Sequence, residues 1–255
     1  MGGHRFFIKQ VDPSSKEIKF SPDVAHQIQH VLRLKKGDCV VVLDGEGRAY
    51  QVELIRFESG LTAGKILEVG EAKSDLNVRL HLFFPLSKRE KVKWILQKGT
   101  EVGVHSFHPF ISHRSLVQSS EMNMKRKTRW ESIMKEAAEQ SGRHQLPGLN
   151  NPESLQDAAK AASASLDKVI AAIVGEGNKN LKDVLSEARY LFQRKQGIPT
   201  LGLFIGPEGG FSESEIDVFK QSGAETVSLG RLILRLETAA ILFPALVMYE
   251  LSDLQ

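Results

Sequence analysis

Two short segments carry the residue types best suited to chemistry. Gly206-Pro207-Glu208-Gly209-Gly210 places three glycines and a proline within five residues, and further along Arg235-Leu236-Glu237-Thr238 sets a cation beside a carboxylate. Glycines let backbone N–H and C=O groups approach a planar ligand closely, while Pro207 fixes one φ angle. The pattern therefore suits a pocket built largely from main chain, one that holds a flat cofactor. A cation at its edge would stabilise negative charge developing on a reacting group. The plainer alternatives are a glycine-rich strand-to-helix turn and a structural ion pair at the start of a helix.

The elements around these segments fit the first reading. Residues 200–205 form a short apolar run of strand type, and Ser212-Glu213-Ser214-Glu215 reads as a capping box that opens a helix. From residue 77 onward strands alternate with helices. Strands are expected at 78–84, 106–111, 169–174, 200–205 and 226–229. Helices are expected from Lys88 (with Ser87 as its cap and Glu90 at N3), over 121–141, 181–193 and after Ser212, and finally in a stretch running to Leu251. Residues 150–165 read as a helix or a loose connector. This alternation predicts a parallel sheet covered by helices.

Residues 1–72 have a different rhythm, with strands expected at 40–44, 50–57 and 62–69 and a helix at 22–34 that has Ser21 as N-cap and Pro22 at its first position. They predict a small β-barrel. The polar join 71–75 marks the expected boundary, giving domains 1–72 and 73–255. The last helix, with Ile241, Leu242, Phe243, Leu246, Val247 and Met248, is apolar nearly all round and is expected to bend at Pro244. It must be covered on most sides, by a deep core or by a second copy of the chain.

With 255 residues, 41% of them hydrophobic, the chain can bury a substantial core. A single cysteine, Cys39, excludes an intrachain disulfide, and the N-terminus lacks a secretory apolar stretch, so a cytoplasmic setting is expected. No uncharged apolar run approaches the roughly 20 residues that span a bilayer. The net charge of +3 is uneven: residues 77–149 carry 13 Lys/Arg against 6 Asp/Glu, whereas 150–255 carry 10 against 14. The surplus sits in two clusters, Lys88, Arg89, Lys91 and Lys93, then Lys125, Arg126, Lys127 and Arg129. Such clusters suit a surface that neutralises phosphates, or a pair of solvated helix faces.

Common nucleotide motifs fail. Gly60-Leu61-Thr62-Ala63-Gly64-Lys65 has three residues between its glycines where a P-loop needs four. Gly175-Glu176-Gly177 follows a strand but lacks the third glycine of a dinucleotide fingerprint. His26 with His30, or His105 with His108, has no carboxylate or thiolate to complete a metal set, so no metal is expected.

With its neighbours, the glycine segment resembles the knotted methyltransferases of the SPOUT superfamily, and within it the family that methylates N3 of a uridine in 16S ribosomal RNA. The resemblance rests on 204–211, on Leu229-Gly230-Arg231-Leu232-Ile233-Leu234-Arg235-Leu236-Glu237-Thr238-Ala239-Ala240, and on family-like text at 30–38, 97–104 and 136–143. It implies an α/β fold, a C-terminal knotted parallel-sheet domain preceded by a PUA-like β-barrel, with S-adenosylmethionine as cofactor and a homodimeric enzyme acting on 16S rRNA or the assembled 30S subunit.

Carried over by resemblance, Ile205 and Gly206 to Gly210 form one wall of the donor site, and Leu229, Gly230 and Leu234 with Thr238 and Ala239 form another. Gly175 ends the strand at its floor. From the chemistry of an N3–H acid, Arg235 is expected to supply the stabilising field and Glu237 to orient it, bind the donor or act as general base. Arg5, His30, Arg33, Arg114 and Arg143 match family positions for RNA, with an interface ion pair the alternative for Arg143 because Glu136 and Glu139 share its helix, and Arg129 belongs to the second basic cluster. The second motif departs from the family's usual text: Leu232 stands where an arginine is expected and Leu236 where a threonine is. Rival readings are a relative that methylates another base or a ribose 2'-OH, and a non-catalytic RNA-binding assembly factor.

Overall fold

The computed structural model describes residues 4–8, 11–12, 15–45, 47–58, 61–71, 77–118, 122–175 and 179–251. The expected join at 72–75, the P-loop-like Gly60, the helix start at Glu121 and the segment Glu176-Gly177-Asn178 lie outside them. The chain divides into two compact units, Met1–Asp75 with Ala138–Leu146, and Leu76–Ala137 with Pro147–Gln255.

The first unit contains β1 (Arg5–Phe7), β2 (Glu17–Phe20), α1 (Pro22–His26), β3 (Cys39–Leu43), β4 (Arg48–Glu58) and β5 (Leu61–Glu71). Its sheet runs β1-β3-β4-β5-β2, with β1 parallel to β3 and the other pairs antiparallel. In β2 strict alternation turns Ile18 and Phe20 inward and Glu17 and Lys19 outward, as a half-buried strand requires. Register shifts in the β4–β5 pair at Gln51/Val52 and Leu54/Arg56 bend the long strands around a core of Phe6, Val42, Tyr50, Val52 and Leu54. Residues 138–146 pack here too: Phe7, Leu43 and Ala138 form an apolar cluster, and the Arg5 guanidinium donates to the Gly142 carbonyl at 2.8 Å. Gly142 sits at φ +76°, where any side chain is strained, and a Cβ there would also push the Arg5 guanidinium, 2.3 Å away, out of place.

The helix expected over 22–34 is shorter. After His26 it widens into a π-turn, Gln27–Val31, and Arg33 sits at φ +54° with the Leu34 N–H closing onto the Ile28 carbonyl. The wider turn lets Leu32 and Leu34 join Ile28 against the core, which a continued α-helix would have rotated away. Ser21 makes no side-chain cap.

The second unit contains β6 (Arg79–Pro85), α2 (Arg89–Glu101), β7 (Ser106–Ile111), most of α3 (Met124–Ser141), β8 (Gly148–Leu149), β9 (Glu153–Ser154), α4 (Leu155–Ser165), β10 (Lys168–Ala172), β11 (Lys179–Asn180), α5 (Leu181–Phe192), β12 (Thr200–Ile205), α6 (Glu213–Gln221), β13 (Glu225–Ser228) and α7 (Leu236–Leu251). The strands form one parallel sheet, β11-β13-β10-β12-β6-β7-β8, with β9 beside β7. Leu201 to Ile205 are all buried, the near-continuous apolar run of a strand covered on both faces. One core holds Ile95, Leu96, Trp130, Met134, Val184, Phe243 and Val247; a second holds Phe83, Phe110, Phe204, Phe219, Leu155 and Ala158. The parallel α/β fold expected from the sequence is present.

Two local readings change. Residues 150–165 resolve into the short β9 followed by α4, whose N-cap Ser154 accepts from the Asp157 N–H. Ser87 does not cap α2, which starts one residue later with Lys88 at the N-cap and no side-chain cap bond. The buried Ser87 hydroxyl has a stronger acceptor, the Glu208 carboxylate at 2.7 Å. In α7, Phe243, Val247 and Met248 are buried, whereas Leu242, Leu246 and Tyr249 stay exposed, Tyr249 at 73%. Among the described residues no helix is long and apolar enough to cross a membrane.

Candidate active site

β12 lies between β10 and β6, so the chain reverses its direction of travel across the sheet there, and a crevice opens at the carboxyl ends of the strands. The segments following β10, β12 and β13 enclose a cavity of about 1070 Å³. Gly175, Ile205, Gly206, Pro207, Glu208, Gly210, Leu229, Gly230, Leu234 and Ala239 line it, as expected; Gly209 and Thr238 do not. The sequence reading missed Asn180, Leu181 and Leu185, and also Leu246 and Tyr249 of α7. Asn180 was findable: it is the N-cap of α5, accepting from the Lys182 N–H, and an asparagine before an amphipathic run is a known helix-start signal.

The glycine loop is held from several sides. Its turn closes with the Gly210 N–H on the Pro207 carbonyl at 2.8 Å, and Gly210 takes φ +69°, a conformation that favours glycine. Behind it the Ser212–Glu215 capping box forms as expected. Buried Glu215 also accepts from the His113 N–H at 2.9 Å. Burial alone would raise this carboxyl; the backbone bonds from Ser212 and His113 outweigh it and hold it below its ordinary range. On the outer side the Arg114 guanidinium donates to the Gly209 carbonyl at 2.8 Å.

Lys91, counted in the sequence only as part of a basic cluster, joins the two motifs. Its ammonium is 2.8 Å from a Glu208 carboxylate oxygen and 3.5 Å from Glu237. The hydrogen bond to Glu208 is the main reason its pKa rises. For Glu208, burial pushes upward, but the bonds from Lys91 and Ser87 prevail and the net direction is down.

Arg235 and Glu237 therefore do not pair with each other. Glu237 faces Lys91, while Arg235 is exposed at the head of α7, outside every ion pair among the described residues, its carbonyl accepting from the Ala239 N–H at 2.9 Å. Leu232 and Ile233, on the loop before it, are 82% and 79% exposed.

The residues matched to RNA separate into two groups. His30 and Arg33 are exposed, with the His26 and His30 rings 4.9 Å apart, and Arg114 is exposed beside the glycine loop. Arg143 departs from the expectation: it is only 7% exposed, where the chain leaves α3 with its N–H on the Ala138 carbonyl, so it is not presented to phosphate. Half-buried Arg5 is engaged by Gly142. Arg129 is half-buried on α3.

Elsewhere Ser106 Oγ lies 2.8 Å from His81 Nδ1 and 2.7 Å from His108 Nε2. Burial, then the neighbouring histidines, depress His81 to about 4 and His108 to about 3, so both rings are neutral near pH 7. No group of three or more His, Cys, Asp or Glu among the described residues could hold a metal ion.

Comparison with known proteins agrees with this geometry. Residues 74–248 match the RNA methyltransferase domain family, and residues 20–57 match the RNA methyltransferase PUA domain. The chain is 30% identical over 250 residues, 96% of each chain, to the ribosomal RNA small subunit methyltransferase E of Bacillus subtilis. Among solved structures it is similar to a ribosomal RNA small subunit methyltransferase E from Neisseria gonorrhoeae bound to S-adenosylmethionine, with 25% identity, a TM-score of 0.84 and full coverage of both chains. It is also similar to a methyltransferase from Legionella pneumophila in complex with the same cofactor, with 26% identity, a TM-score of 0.83 and full coverage of both chains.

Proposed function

The chain belongs to the ribosomal RNA small subunit methyltransferase E family, and from that membership we propose that it transfers the methyl group of S-adenosylmethionine to N3 of a uridine in 16S ribosomal RNA. The observation that carries the reading is the backbone-lined slot itself; Arg231 lines it, and Arg235 stands between two lining residues, Leu234 and Leu236, without lining it. The slot's glycine main chain, with Ile205, Leu229, Leu234 and Ala239, suits a flat adenine and a polar ribose, and about 1070 Å³ is ample for a cofactor of that size. When bound, the cofactor supplies an electron-poor methyl group on sulfur.

The protein's own contribution is electrostatic. Uridine N3–H is a weak acid: its proton passes to solvent, negative charge spreads to O2 and O4, and N3 bonds the methyl as the S–CH3 bond breaks to leave a neutral thioether. Arg235, held by the first turn of α7 and not spent on an internal partner, supplies the stabilising field. Glu237, fixed by Lys91, orients that turn. Because N3 lies on the pairing edge, the target must be exposed from any duplex before reaction. We assign RNA recognition to residues 1–72, with His30 and Arg33, and transfer to residues 73–255, whose chain threads through its own loop as the resemblance implies. Arg114, braced on Gly209, stands beside the slot to meet the incoming nucleotide.

A second copy of the chain completes the reading. Leu246 and Tyr249 line the slot and are also exposed on α7, so a partner covering that face would close the slot as well as bury the apolar residues. The enzyme acts in the cytoplasm, on 16S rRNA or the assembled 30S subunit. The decisive test maps methylated nucleotides in small-subunit rRNA from cells with and without the gene, and repeats the reaction with purified protein. A single N3-methyluridine that depends on the gene is expected; a gene-dependent ribose or cytosine mark would replace the N3 assignment, and no mark together with no cofactor binding would leave an assembly factor.

A further inference from the structure

A second cavity of the larger unit, about 780 Å³, is lined by Lys93 of α2 and by one face of α3 that presents Lys125, Thr128, Arg129, Ser132 and Glu136, with apolar Met124 and Ile133 beside them. We propose that this groove is a subsite for the phosphate backbone of the RNA substrate, separate from the methyl-donor slot; the inference rests on the reading of the chain as an rRNA methyltransferase.

Spacing places these α3 side chains together. Positions 125, 128, 129, 132 and 136 follow the three-and-four rhythm of a single helix face, and Lys93 reaches the same hollow from an element distant in sequence. Two basic clusters that read separately as solvated helix faces thus contribute to one concave surface. Some other lysines of this unit meet acids, Lys91 with Glu208, Lys98 with Glu101 and Lys168 with Glu225, while Lys88, Lys160 and Lys182 stand apart on the surface without an ion pair among the described residues. Arg126 of the same helix lies 4.7 Å from the Trp130 ring centre and is held there by stacking. Among the described residues, Lys93, Lys125 and Arg129 enter no ion pair, and Glu136 is the only acid in the lining.

Three converging cations repel one another, so their convergence is favoured by an anion that enters from outside. Thr128 and Ser132 add hydroxyl donors between the charges, the mix of groups that holds phosphate oxygens without reading bases. The groove therefore sets position and affinity rather than sequence choice. A phosphodiester strand matches its chemistry; an acidic protein segment is the rival occupant.

The test is the triple variant Lys93→Gln/Lys125→Gln/Arg129→Gln, assayed on naked small-subunit rRNA and on assembled subunits across a salt series. Relative to the wild-type protein, RNA binding should weaken several-fold or more near 0.15 M salt. The slope of log affinity against log salt should flatten by about 2 to 3, since each lost phosphate contact removes roughly 0.7 to 0.9. Donor affinity and the rate at saturating RNA should be unchanged. Glu136→Gln should act in the opposite sense and tighten RNA binding, which guards against misfolding as the explanation. An unchanged slope and affinity in the triple variant, with wild-type protein still methylating rRNA, overturns the groove alone. A loss confined to assembled subunits with the naked-RNA slope intact also overturns it, in favour of an acidic protein. Failure of the wild-type protein to bind or methylate rRNA overturns the reading beneath it.

Discussion

The two walls of the slot are built in opposite ways. In the glycine loop, Glu208 accepts from Ser87 and Lys91, the Gly209 carbonyl accepts from Arg114, and Gly210 closes onto Pro207. Among the described residues, the facing loop, residues 229–235, is held only at its ends, by Ser228 with Gly230 and by the Arg235 carbonyl on the Ala239 N–H, and leaves the side chains of Leu232, Ile233 and Arg235 exposed. One wall is pre-organised before any ligand arrives, so ordering it costs binding little. The other leaves Arg231 and Arg235 outside any ion pair among the described residues and its apolar tip in water, as the proposed contacts with a substrate or a second copy require.

The largest expected effect strikes the unbraced wall at its cation. Arg235→Ala should lower the methylation rate at saturating donor and RNA by about 100-fold, the usual loss when one stabilising donor is removed from developing charge. Donor affinity should stay within about twofold, because in the proposed reaction this guanidinium acts on the nucleotide. Single-turnover assays check the first expectation and calorimetry the second. A full rate would move catalysis to another cation, and Arg231, which lines the slot, becomes the first candidate.

Breaking the brace should invert that pattern. Lys91→Met removes the cation shared by Glu208 and Glu237, and leaving two half-buried carboxylates facing each other should weaken donor binding about tenfold, roughly 1.4 kcal/mol. The melting temperature should fall as well, and Lys91→Arg should recover part of the donor affinity. Donor binding unaffected by Lys91→Met would make the bridge a surface ion pair of little worth.

These contrasts also explain what the sequence made legible. The glycine loop, the capping box behind it and the parallel α/β order were readable because each depends on local periodicity or backbone freedom. Lys91 was hidden: its two carboxylate partners lie far along the chain, and only the fold sets them at 2.8 and 3.5 Å. Ser87 was misread for the same reason, since its Ser-x-x-Glu pattern is local while its acceptor, Glu208, is not. Arg143 matched family text, yet its burial follows from the packing of 138–146 into the first unit, which no spacing in that stretch announces.

A smaller effect is expected at the tip of the unbraced wall. Leu232→Ser with Ile233→Ser should leave the stability of a single chain within about 0.5 kcal/mol, because both side chains are already mostly in water. If the tip meets a second copy, sedimentation should shift toward monomer, and donor affinity should drop with dilution. Unchanged assembly in this variant would confine the contact to α7, where Leu242→Ser with Tyr249→Ser becomes the sharper probe.

The mildest prediction separates the walls by pH. Glu208 is held below its ordinary value of 4.5, so the stabilisation it gives the brace is present above that value and is lost as pH falls through the lower, folded one. Lys91 is raised above 10.5, so its share is complete below that value and is lost only as pH rises beyond it. Between these limits donor affinity should vary little through the brace. The facing loop, residues 229–235, contains no acidic residue and so adds no acid titration of its own. In Lys91→Met the depression of Glu208 is relieved, and the acid loss of donor affinity should begin at higher pH than in the wild-type protein. Coincident acid limbs would show that Lys91 does not hold the Glu208 charge, and the braced wall would then rest on Ser87 and Arg114 alone.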